Sequence, residues 1–275
     1  MTAQFALPAA LTFGVADFAG GLATRRSSCA LTVIATVQLS GIAVLLPALT
    51  LLPGQLSMAS VGLGALAGLA GSVGLLLYYR GLALGPMGLV APLSTLAGAG
   101  LPLLVGFAAG EPAGPVTIGG VAVALLAIAL ATTGATQDRT VIGGPALAIA
   151  SGVCFGLFYI VLDMTPPESG LWPLLAAKIA SVVVFSALVQ ARGTSGSALR
   201  VHRGLIVLSG TADMVANILF LLATRDGALS ISVVLVSLYP VVVVVLARVV
   251  LRERLTLLQA ASVILALTSG ALLSS

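Results

Sequence analysis

The chain has 275 residues, of which 59% are hydrophobic and 7% charged, with a formal net charge of +4. A soluble domain carries roughly a quarter charged residues, so twelve basic and eight acidic side chains cannot clothe one of this length. Apolar richness excludes a disordered chain, and 32 Gly and 13 Pro without a three-residue period exclude a collagen-like one, which leaves a polytopic membrane protein.

A membrane-crossing helix needs about 20 mainly apolar residues. Read between charges and Gly/Pro breaks, the sequence predicts about ten, over 3–23, 30–51, 58–79, 86–109, 115–135, 143–163, 171–190, 204–223, 228–250 and 256–273. Short intervening loops predict antiparallel neighbours and no extramembrane domain. The first segment is expected to be a span and not a cleaved leader, because Met1 to Leu7 carries no Lys or Arg.

Sliding the chain by 142 residues without a gap brings Phe13-Gly14 onto Phe155-Gly156, Gly68 onto Gly210, Gly85 onto Gly227 and Glu111 onto Glu253. Phe-Gly and Glu are rare enough here to carry weight, and the register holds through all five segments. An odd number of spans per half forces the second half to enter the membrane the opposite way. The expected fold is therefore an all-α integral membrane protein. Two inverted five-helix repeats, residues 1–137 and 138–275, would surround a central cavity as one unit.

The stretch Ser237-Leu238-Tyr239-Pro240, followed by Leu251-Arg252-Glu253-Arg254-Leu255 and the apolar run to Gly270, resembles the end of an EamA domain. The first half resembles it through Tyr78-Tyr79-Arg80-Gly81-Leu82-Ala83-Leu84-Gly85-Pro86 and Gly110-Glu111. The two Phe-Gly pairs resemble the aromatic-Gly that opens such a domain. The chain thus resembles ten-helix members of the drug/metabolite transporter superfamily along essentially its whole length. The fourth span departs from the pattern, with Gly98 where the ninth has Pro240, and prolines at Pro92 and Pro102. The resemblance implies a carrier of small molecules working by alternating access, with helices five and ten peripheral.

Seventeen of the 20 charges lie in loops or near helix ends, and three do not: Asp17, Lys178 and Asp213. A charge at mid-membrane costs several kcal/mol and usually faces a cavity or a partner. Asp213, Asn217 and Phe220 fall on one helix face, a stripe suited to a wall that binds a small polar ligand or to an interhelical hydrogen-bond pair. Asp17 has Phe13 one turn before it and Gly20-Gly21 just after. Lys178 must pair with a carboxylate or lose its proton, and either Asp17 or Asp213 would serve. Gln38, Tyr78, Ser94, Thr95, Tyr159, Trp172 and Tyr239 are further candidates on cavity-lining helices, the aromatic ones through stacking or cation–π attraction. Gly62, Gly64, Gly68 and Gly71 read as a close-packing surface. Glu111 and Glu253 read as local caps or pairs, Cys29 and Cys154 as apolar filler, and His202 as a solvated loop residue. No zinc spacing, phosphate loop or nucleophile–base–acid set stands out, so neither a metal, a cofactor nor an enzymatic activity is expected, and no basic-aromatic patch points to nucleic acid.

Sorting basic residues by loop puts ten at one membrane face and Arg225 alone at the other. The positive-inside rule makes the ten-residue face cytoplasmic and both termini external, whereas the family resemblance implies internal termini. The function expected is a secondary transporter in the plasma or inner membrane. It would act as a monomer and export small metabolites, amino acids or their analogues first among them, with protons as coupling ions. A mixed set of acidic and basic membrane residues beside aromatics motivates this, since a zwitterion needs both charges. The alternatives are an exporter of organic cations or drugs, and a membrane interaction subunit that transports nothing.

Overall fold

The computed structural model describes residues 2–25, 27, 30–84, 87–111, 114–131, 143–192, 203–250 and 256–274. Cys29, His202 and Glu253 lie outside them, so the roles read for these residues have no structural counterpart here. Eleven α-helices are described: α1 (Thr2–Arg25), α2 (Ala30–Leu51), α3 (Met58–Leu84), α4 (Met87–Ala108), α5 (Pro115–Ala131), α6 (Gly144–Asp163), α7 (Trp172–Ala191), α8 (Arg203–Asp226), α9 (Leu229–Val236), α10 (Tyr239–Val250) and α11 (Leu257–Ser274). No strand occurs among the described residues.

Seven stretches are long and apolar enough to cross a membrane, the last being Leu229–Val250, which α9 and α10 share. Three further apolar helical segments are shorter, at Leu93–Ala108, Pro115–Leu130 and Ala260–Leu273. The chain is a multi-pass membrane protein. Seven of the ten expected spans are thus matched in length, the fourth, fifth and tenth being shorter among the described residues, and the ninth breaks at Ser237-Leu238. Pro240 has no N–H to give the carbonyl four residues back, and its ring disfavours α-geometry at the residue before it. The chain closes the gap with tighter bonds, Leu238 N–H to Leu235 O at 3.2 Å and Val241 N–H to Leu238 O at 3.0 Å. α4 stays continuous through Pro92 and Pro102.

Helices pack where glycine lets backbones touch. A β-carbon on Gly68 would collide with the backbone of Ala177 in α7, and one on Gly64 with that of Pro173. Gly71 lies against the ring of Phe158, whereas Gly62 faces open space. Gly210 of α8 sits equally close to Val37 O and Ser40 of α2. α5 and α11 pack chiefly on each other at one side of the bundle.

The two ends of the bundle differ. At one end the start of α1 meets the α8–α9 turn, Thr2 against Gly227, and the α2–α3 loop meets the turn before α7, Gly54 against Gly170. Most of the large buried core lies toward this sealed end, with Ala6, Leu45, Leu103, Leu162, Leu171, Phe220, Leu229 and the run Val233–Val236 among its members. At the opposite end Arg80, Arg192, Arg203 and Arg248 are exposed. The buried cluster there contains Ala23, Val33 and Ile206.

Candidate functional site

The structure chooses Lys178's partner. From α7 its Nζ donates to Asp213 Oδ2 of α8 at 2.7 Å and to Gln38 Oε1 of α2 at 2.8 Å. Asn217, one turn along α8, donates its Nδ2 to the Asp213 carbonyl at 2.8 Å and to Oδ1 at 3.3 Å. The ammonium's charge is met within the protein, and three helices are tied by one group. Lys178 is nearly enclosed, its side chain 8% exposed against 28% for Asp213. Gly41 admits the lysine stem, since a β-carbon there would stand 3.4 Å from Lys178 Cε and 3.1 Å from Gly210 O.

Asp17 is different. Its side chain is exposed although it sits two-thirds of the way along α1, and it has no ion-pair or hydrogen-bond partner among the described residues. It acts electrostatically on Asp213 in α8, Tyr78 in α3, Tyr159 in α6 and Tyr239 in α10. These groups stand on four other helices. Its exposure leaves this carboxylate open.

Aromatic rings pack between the helices that carry these groups. Tyr159 packs on Phe220 with centroids 4.6 Å apart and on Phe158 at 5.3 Å. Phe220 is fully buried and lies toward the sealed end of α8. Tyr239 leans on Phe13 at 6.4 Å, and its Oη lies 3.4 Å from Thr95 Oγ1. Tyr78 meets Phe155 edge-on at 6.5 Å.

Two sequence candidates go elsewhere. Ser94 Oγ is 2.7 Å from Ser151 Oγ and both are buried, a seam between α4 and α6. Trp172 donates its Nε1 to Gly54 O at 3.1 Å and lines an apolar pocket of about 360 Å³ with Leu56, Val61, Leu175 and Ile179. Sequence reasoning passed over Tyr79, which also feels Asp17 and is hydrogen-bonded to Thr24. Its place beside Tyr78 was the available signal. It also passed over Gly41, whose neighbourhood to Lys178 exists only in the fold.

The site joins one open carboxylate, one internally neutralised ion pair and a set of rings. It can attract an amine by charge and by ring faces, while a ligand carboxylate must compete with Asp213 for Lys178.

The second half of the sequence, residues 142–275, matches the model of the EamA-like transporter family. No curated protein matches the chain. A solved crystal structure of a protein 17% identical superposes over 99% of this chain and 98% of that one, with a TM-score of 0.77, and so shares its fold. Residues 142–275 are thus similar to the EamA-like transporter family, a match that points to a membrane transporter.

Proposed function

We propose that the chain is a secondary transporter of small amine-bearing metabolites, amino acids or their analogues, working by alternating access between two inverted five-span repeats. The observation that carries this is the exposed carboxylate of Asp17 within electrostatic reach of Asp213, which with Gln38 already holds Lys178. Asp17 takes the amine or, between substrates, a coupling proton. Lys178 takes the substrate carboxylate when that group displaces Asp213. No enzymatic step is part of this reading, and one chain holds the whole pathway.

The packing supports the repeat. α1 lies on α8 as α3 lies on α6, and α2 on α8 as α7 on α3. Gly14 abuts Tyr239 and Val242, while Gly156 abuts Gly98 and Leu101. The 142-residue shift exchanges these contacts to within one residue. The positive-inside rule makes the basic end cytoplasmic in this reading, the side from which an exporter in the plasma or inner membrane loads.

Flux in liposomes tests the reading, with three probes: an amino acid, its decarboxylated amine and its deaminated acid. Asp17→Asn is expected to abolish movement of the first two. Lys178→Met/Asp213→Asn should spare the amine and lose the amino acid. Movement of the deaminated acid at the amino-acid rate would sink the amine site. Counterflow unchanged by a pH gradient would remove proton coupling. The second reading, an exporter of organic cations, is favoured by the neutralised Lys178. It predicts faster flux of the amine than of the amino acid in the unmodified protein.

A further inference from the structure

The sealed end is fastened by a residue outside this site. α4 finishes in a turn with Gly110 at φ 89°, where Gly110 N–H reaches Phe107 O at 3.1 Å and Glu111 N–H reaches Gly106 O at 3.1 Å. This left-handed position, easy for glycine, folds Glu111 back over the bundle. Glu111 Oε1 accepts the Leu229 N–H at 2.8 Å and Oε2 accepts the Ser230 N–H at 3.0 Å. The N-cap position of α9 itself, Ala228, offers no side-chain acceptor. The first donors of α9 are thus satisfied by a carboxylate 118 residues away in sequence, at the positive end of the helix dipole.

The carboxylate fits because residue 106 is glycine, since a β-carbon there would overlap Glu111 Oε2. Asp163, hydrogen-bonded to Thr224, is a like charge within electrostatic reach of Glu111. The nearby Arg225 turns toward Pro166 O at 3.5 Å and interacts with Glu168. Immediately past the clamp, Leu229 through Leu238 forms an almost continuous stretch of the buried core.

We propose that Glu111 is a releasable latch on α9 that holds the sealed end shut. This rests on the alternating-access reading. If the end opens by moving α9 off the α4–α5 turn, both bonds break together, so the carboxylate favours the closed state alone. Only such differential contact can shift a conformational equilibrium.

The test uses the full chain in lipid nanodiscs, with Cys29→Ala and Cys154→Ala, and a reporter at Ser232→Cys, a fully buried α9 position. A membrane-impermeant maleimide reads its exposure, and no substrate is needed, so failure here is separable from failure of the transport reading. Glu111→Ala is expected to speed labelling about tenfold, the effect of losing one charge-assisted bond or more. Gly106→Ala, which keeps the charge but fills its seat, should match it, and Glu111→Gln should fall between. A second reporter at Val33→Cys, buried at the basic end, should label no faster. Unchanged labelling at Ser232→Cys, faster labelling at both positions, or failure of all three variants to fold would overturn the latch and leave Glu111 a static cap.

Discussion

Removing one member of the Lys178–Asp213 pair exposes how it is held. Lys178→Met leaves Asp213 with Asn217 as its neighbour, and Asp213→Asn leaves a lysine whose side chain is 8% exposed with Gln38 as its remaining partner. Breaking a buried pair from one side costs about 3–5 kcal/mol. Asp213 keeps 28% of its side-chain surface, so the Lys178→Met cost should sit below that range, at about 2 kcal/mol, and Asp213→Asn near 3 kcal/mol. The double variant Lys178→Met/Asp213→Asn removes both charges and should return to within about 1 kcal/mol of the parent. The coupling in the cycle is then about 4 kcal/mol, far beyond the few tenths expected of independent sites. Thermal unfolding of the four proteins in one detergent measures the ranking. Simple addition of the two single losses in the double variant would refute the pair as an energetic unit.

Glycine contacts give a second, position-specific test: Gly210→Ala should lower stability by about 1–3 kcal/mol through overpacking, whereas Gly62→Ala, in open space, should be neutral or gain up to about 1 kcal/mol from helix propensity. Thermal unfolding separates the two. Phe220→Ala removes a fully buried ring from the core and should cost about 3–5 kcal/mol, while Tyr159→Phe, which preserves the stack, should leave the melting temperature within a degree or two. Pro240→Ala restores a main-chain donor to the broken ninth span, and hydrogen exchange of residues 236–241 should slow relative to the parent. Equal exchange would show that the break is imposed by packing and not by the proline.

The sequence made the spans legible because lipid demands about 20 apolar residues whatever the neighbours are. It made the three interior charges legible for the same reason. What it hid was direction. A helix apolar all round carries no stripe to separate lipid from core, so Ser94 and Thr95 looked alike although one seams α4 to α6 and the other reaches Tyr239. Lys178 had two eligible carboxylates in the sequence, and only the meeting of α2, α7 and α8 selects Asp213 and adds Gln38. Glu111 read as a loop charge with a local cap, because a bond across 118 residues leaves no local pattern.

The break at Ser237-Leu238 gives α10 a fulcrum. Its 12 residues make an arm of about 18 Å at the helical rise. A swing of roughly 15° about the break would carry the far tip about 5 Å, close to one helical turn, while the base near Tyr239 scarcely shifts. A carrier built this way can displace its basic end on a scale that passes a small solute without unseating α9 from the core. The proline thereby divides one rod into a buried stub and an arm that reaches the basic end.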